Sequence, residues 1–209
     1  MVDQLYWDDR VDASNIKVEV NSGEVNLSGT VPYYSSRRIA RNDAWNVLGV
    51  RSLISKLKVD FPQSIPVPSD DQIQANLIDS FRLDPELDHI KIVPEVHRGK
   101  VRLEGEVDKL WKKSWAEDLA EKIMGVTEIE NRLAVVPSDD VLDSAIADDL
   151  KAAIERNIYV NIDDVDIKVE NSVVTLMGTV PDWISVQAAY NTALHTAGVA
   201  DVINKLQIR

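Results

Sequence analysis

Apolar and polar residues alternate along Ile16-Lys17-Val18-Glu19-Val20, and again along Glu24-Val25-Asn26-Leu27-Ser28-Gly29-Thr30-Val31. Period-two alternation sends successive side chains to opposite faces, so each run predicts a half-buried strand. Asn21-Ser22-Gly23 between them is a turn signal, and the pair predicts an antiparallel hairpin. Pro32 ends the second strand. The period then lengthens: Ile39, Ala40, Ala44, Val47 and Leu48 recur at helical spacing, which predicts a helix over 35–48 with Gly49 just past its C-terminus. Alternation returns over 53–59 as a third strand. On this pattern Val25, Leu27, Leu53 and Leu57 face the helix, while Asn26, Ser28, Lys56 and Lys58 leave the other sheet face polar.

The same block is written three times. Gly99-Lys100-Val101-Arg102-Leu103-Glu104-Gly105-Glu106-Val107 and Ser172-Val173-Val174-Thr175-Leu176-Met177-Gly178-Thr179-Val180 repeat the second strand. In each copy a Gly-Val pair follows twenty residues after the shared glycine, at Gly49-Val50, Gly125-Val126 and Gly198-Val199. A common internal offset marks a tandem repeat. Repeat two predicts helix 70–82, strands 90–96 and 100–107, helix 111–124 and strand 127–135. Repeat three predicts helix 139–156, strands 165–169 and 173–180, helix 185–197 and strand 200–208. Aligned on the glycines, residues 2–10 of repeat one match only the end of the longer opening helices. The predicted fold is α+β: three tandem α-β-β-α-β units, each a three-stranded mixed sheet with two helices on one face, the first helix of repeat one truncated. The strand that follows the second helix needs a right-handed crossover. The units are placed at 1–61, 69–136 and 138–209. A proline-rich connection over 62–68 favours an extended, semi-rigid chain. Ser69 with Gln72 predicts a capping box, and Ser138-Asp139-Asp140 predicts the same device again. The recurring Gly29, Gly105 and Gly178 predict a bulge or a close approach of a helix.

The element order, the hairpins "NSGEVNLSGTV" and "NSVVTLMGTV", the "GV" pairs and the closing Val202-Ile203-Asn204-Lys205-Leu206 together resemble the BON domain. The resemblance covers nearly the whole chain as three consecutive units. It implies a binding module and not a catalyst, in a family described as phospholipid- or membrane-associating and often tied to the envelope or to osmotic stress. It carries no catalytic residue set and no fixed lipid motif.

Composition narrows the partners. The chain of 209 residues has a formal net charge of −12, unevenly spread. Residues 1–62 carry 8 basic and 8 acidic side chains, 63–136 carry 10 against 15, and 137–209 carry 5 against 12. Such a surface repels a polyanion, which argues against nucleic acid. No apolar run approaches a bilayer-spanning length. The acidic, aromatic start has no signal-peptide pattern, so the expected location is cytoplasmic, or periplasmic if a signal has been removed. No cysteine is present, which removes disulfides and thiolate metal sites.

Candidate chemistry gathers where the second strand gives way to the second helix. These junctions read Pro32-Tyr33-Tyr34, Asp108-Lys109-Leu110-Trp111 and Pro181-Asp182-Trp183-Ile184. Cations follow in two of them: Arg37, Arg38 and Arg41, then Lys112 and Lys113. Rings beside cations at a helix start suit a membrane interface. The expected membrane- or ligand-binding residues are therefore Tyr33, Tyr34, Arg37, Arg38, Arg41, Trp111, Lys112, Lys113, Trp183 and Ile184. The alternative is that the rings are packing staples. A protein–protein scaffold or self-association is the second functional reading.

Other groups carry less. Asp139, Asp140 and Asp143, and Asp163, Asp164 and Asp166, lack cation-loop spacing, and a helix first turn and a strand start account for them. No metal and no cofactor is expected. His89, His97 and His195 stand apart and read as solvated; Trp7, Trp45 and Trp115 read as packing residues. No nucleophile elbow, phosphate loop or dinucleotide fingerprint occurs, so no enzyme is expected.

Overall fold

The computed structural model describes residues 12–87, 91–138 and 141–209. The truncated opening helix of repeat one with Trp7, the start of the 90–96 strand, His89, and the Asp139-Asp140 part of the expected cap lie outside the described residues.

Among the described residues the first repeat runs from a 3-10 turn, Ala13–Asn15, into strands β1 (Ile16–Asn21) and β2 (Glu24–Val31), helix α1 (Tyr34–Trp45) and strand β3 (Ser52–Val59). The second has α2 (Asp70–Leu83), β4 (Ile92–His97), β5 (Lys100–Val107), α3 (Leu110–Ala120), β6 (Glu128–Asn131) and the two-residue β7 (Ala134–Val135). The third has α4 (Asp143–Glu155), β8 (Val165–Glu170), β9 (Val173–Val180), α5 (Trp183–Leu194) and β10 (Asp201–Ile208). In every repeat the middle strand pairs antiparallel with its hairpin partner and parallel with the strand after the crossover. The mixed α+β architecture is thus the one the periodicities predict.

Burial follows the alternation. In β2, Val25, Leu27 and Val31 are buried and join Ala40 and Ala44 of α1 and Leu57 of β3 in one core. In repeat three, Ile146, Leu150 and Ile154 of α4 share a core with Val186, Ala189 and Ala193 of α5 and Val174, Leu176 and Val180 of β9, so both helices cover the same sheet face. Each such Val, Leu or Ile side chain contributes roughly 1.5–3 kcal/mol on leaving water. Lys56 and Lys58 face solvent, as expected of the polar face.

One local expectation is sharpened and two are corrected. The recurring glycine is approached by the backbone that leads into its hairpin partner: a Cβ on Gly178 would lie 2.2 Å from the carbonyl oxygen of Asp164, the last residue of the 3-10 turn Ile162–Asp164, and one on Gly105 would lie 2.4 Å from that of Lys91, just before β4. The expected strand 127–135 is broken between β6 and β7. The Asn131 side chain accepts from the backbone N–H of Leu133 at 3.3 Å, a local turn that competes with the ladder while Leu133 is buried. The helix expected over 139–156 starts only at Asp143, after Leu142, which makes no side-chain cap; Ser138 is not its N-cap. Ser69 does cap α2, accepting from the Gln72 N–H at 3.4 Å.

By internal packing the chain divides into two compact units, one of residues 1–106 with 114–134, the other of residues 107–113 with 135–209.

Candidate docking site at the strand–helix junctions

Each hairpin turn is a two-residue loop with both central residues at positive φ, Ser22-Gly23, Arg98-Gly99 and Asn171-Ser172. In repeats two and three the first residue of the opening helix holds this turn. The Asp70 carboxylate accepts from the N–H groups of Arg98 at 2.7 Å and Gly99 at 2.9 Å. Asp143 accepts from Asn171 at 2.8 Å and Ser172 at 2.9 Å. The amides of Gly99 and Arg98 hold the Asp70 carboxyl below its ordinary range. Asp143 is therefore a structural clasp, and among the described residues no group of acidic or histidine side chains is arranged to hold a metal ion. The signal for the clasp was present in the chain: the carboxylate stands 29 residues before the turn's second amide in both repeats.

The turn and the strand above it aim the junction. In the first compact unit, α1 opens with Tyr34, and the Arg37 guanidinium lies 5.0 Å from the centre of that ring. Both are turned toward repeat two. Burial raises the Tyr34 phenol above its ordinary value, and the nearby charges of Glu117 and Glu121 add to the rise, while Arg37 and the backbone of Ile129 oppose it. Arg37 also donates to the Thr127 carbonyl at 3.5 Å. Arg38 donates to Glu121 at 2.6 Å, with Asp118 at 3.9 Å. Burial pushes the Glu121 carboxyl up, against the pull of Arg38. Helix α1 is thus joined to the residue just past the end of α3 by a charge-assisted hydrogen bond whose acceptor is buried.

In the second compact unit the next junction behaves alike with apolar chemistry. Leu110 is a member of the repeat-three core, with Leu194 and Val199, and Trp111 packs against it. Lys112 is buried; it lies 5.7 Å from the Trp111 ring centre and pairs with Asp108 at 3.1 Å. Burial would raise the Asp108 carboxyl, but Lys112, its own backbone N–H and Lys109 together hold it below its ordinary value.

The expected site residues therefore separate. Tyr34, Arg37, Arg38, Trp111 and Lys112 meet partners inside the protein. Tyr33 and Lys113 are half-buried. Trp183 is half-buried against its own repeat's core, which is the staple arrangement. Arg41 and Ile184 are exposed. Asp118 and Glu121, which face Arg38, were missed in sequence, because acidic residues at helical spacing also fit a solvated face. Trp45 and Trp115 pack as expected, the latter donating its indole N–H to Asp84 at 2.8 Å. His97 and His195 are exposed.

A family model described as the BON domain matches residues 2–60, 69–137 and 142–209. No curated protein matches the sequence significantly. Among solved structures the chain is similar to CdsD, a structural protein of the type III secretion system of Chlamydia trachomatis, at 14% identity, covering 94% of this chain and 86% of that one with a TM-score of 0.30. It is also similar to the periplasmic domain of the type III secretion inner-membrane protein PrgH from S. typhimurium, at 11% identity, covering 94% and 96% with a TM-score of 0.24. Both TM-scores are too low to transfer anything to this chain.

Proposed function

Since the chain belongs to the BON domain family, as three tandem copies of its unit, we propose that it is a non-catalytic binding scaffold whose partners are proteins. One observation carries this reading: the strand–helix junction is used twice as a plug against a folded surface, by Tyr34 with Arg38 and by Leu110 with Trp111. A side-chain set already shaped to fit a helix end is suited to take a helix end from another protein. The family is generally non-catalytic.

Association with phospholipid is a second reading, favoured by Ile184 standing exposed beside the half-buried Trp183. Weighing against it, Arg38 and Lys112, which would meet phosphates, are spent on Glu121 and Asp108. The acidic third repeat repels an anionic bilayer.

A photo-crosslinking benzophenone amino acid at position 184 of the full chain separates the two, with vesicles of phosphatidylethanolamine and phosphatidylglycerol present. Protein adducts and no flotation are expected. Lipid adducts, with flotation at low salt, would overturn the scaffold reading.

A further inference from the structure

We infer that the groove between α4 and the outer edge of β8 takes an extended, basic segment of another protein, which joins the repeat-three sheet as an added strand. This gives the scaffold read above a second surface, separate from the strand–helix junctions, and rests on that reading only in taking the partner to be a protein.

The edge comes first. β8 pairs with β9 on one side, and among the described residues no strand lies on its other side. The two-residue turn Asn171-Ser172 is closed by the hydrogen-bonded pair Glu170 and Val173. Bonded and non-bonded pairs alternate along an antiparallel ladder. Ile167, opposite Leu176, and Val169, opposite Val174, therefore turn their N–H and C=O groups away from β9. A row of outward backbone groups is a template for a further strand.

Repeat two shows how the same edge is shut. Counting from the clasp residues Asp70 and Asp143, Ala147 takes the place of Gln74 and Ile167 that of Pro94. In repeat two the Gln74 side-chain amide donates to the outward carbonyl of Pro94 at 2.8 Å. Proline has no N–H to offer an incoming strand. The helix side chain thus occupies the acceptor, and the pyrrolidine ring removes the donor. In repeat three Ala147 carries no group that could bond the strand, and Ile167 keeps both its N–H and its carbonyl. The edge closed in repeat two is open in repeat three.

Charge selects the occupant. Ala147, Ile162, Val165 and Ile167 line the inner part of the groove, while exposed Asp148, Glu155, Asp163 and Asp166 form its rim with Lys151. None of the four carboxylates is in an ion pair among the described residues. At the places of Asp148, Glu155 and Asp166 repeat two has Ala75, Arg82 and Val93, so the acidic rim accompanies the open edge alone. Residues 137–209 carry 5 basic and 12 acidic side chains, so an acidic segment is repelled and a basic one drawn in. In an added strand, alternate side chains would lie along the apolar lining and the others would reach the rim. Basic residues alternating with β-branched ones fit both.

Titrating the full chain with fluorescently labelled acetyl-Lys-Val-Lys-Val-Lys-Val-Lys-amide, read by anisotropy and by amide hydrogen exchange, tests this. Saturable binding that slows exchange of the Ile167 and Val169 amides is expected. The same peptide with every backbone nitrogen methylated keeps its charges and loses its donors, and should bind at least about tenfold more weakly. Ala147→Gln combined with Ile167→Pro gives repeat three the closure of repeat two without changing a charge. It should weaken binding by a similar factor with unchanged circular dichroism, and the methylated peptide decides the matter on wild type even if this variant does not fold. A peptide that does not bind overturns the inference. So does one that binds equally well when methylated, since attraction to an acidic surface alone gives that result. Ile167 and Val169 amides that already exchange slowly without peptide, and more slowly as the chain is concentrated, would make a second copy the occupant and overturn it as well. None of these results bears on crosslinking from position 184, which tests the scaffold reading separately.

Discussion

A single hydrogen atom on a glycine decides whether each hairpin can close. Gly178 has φ of +126° and an oxygen standing where a Cβ would go, 2.2 Å away. Gly178→Ala must therefore either move β8 or strain β9, and is expected to cost at least about 2 kcal/mol in urea unfolding. Gly49→Ala meets open space but the same left-handed backbone, φ +88°, and should cost about 1 kcal/mol. Asp70 supplies a second test at this scale. Its folded carboxyl lies below the ordinary value of 3.8, so it binds fewer protons folded than unfolded around that pH. The stability it contributes is complete above the ordinary value and disappears as pH falls through the depressed one. The melting temperature of Asp70→Ala should therefore lie below that of wild type at neutral pH, and the gap should close on acidification toward pH ~3. A gap that persists unchanged in acid would mean the clasp is not ionic.

At the level of helices and strands, the junction residues are joints. Arg38 and Glu121 hold α1 to the end of α3, with the acceptor 8% exposed and the donor 46%. Solvent screening on the arginine side limits the pair, so a double-mutant cycle with Arg38→Ala and Glu121→Ala should return a coupling of about 1 kcal/mol. The cycle should be weaker in high salt. Glu121 has its carboxyl raised chiefly by burial. An acid raised on folding binds more protons folded than unfolded, so its own contribution falls as pH climbs from its ordinary value of 4.5 to the raised one. Trp111 is the apolar counterpart. Trp111→Ala strips a ring from the repeat-three core and should cost about 3 kcal/mol, read as earlier urea unfolding.

At the scale of the whole molecule, charge sets the choice of partner. The net charge of −12 and the spending of Arg38 and Lys112 inside the protein set the expectation that anionic vesicles do not retain it. Among the described residues no helix is long and apolar enough to cross a membrane.

What could be read from residues alone was everything governed by local periodicity. The alternation of Val25, Leu27 and Val31 determined the buried sheet face, because a pleated strand has no other way to sort its side chains. The offset from Gly29 to Gly49, repeated twice, determined the unit and its family. Helix limits were less legible: α5 starts at Trp183 behind an Asp182 cap, two residues ahead of the expected start, because a side-chain cap outweighs weak propensity. The break between β6 and β7 escaped for a similar reason, since one Asn131 hydrogen bond overrides an alternating pattern. The junction residues stood out in the sequence by their rings and cations, but their partners were decided only by the tertiary structure. Whether Arg38 meets a phosphate or Glu121 depends on which surface lies across from it, 83 residues away in sequence. Local patterns carry no information about that distance; packing does.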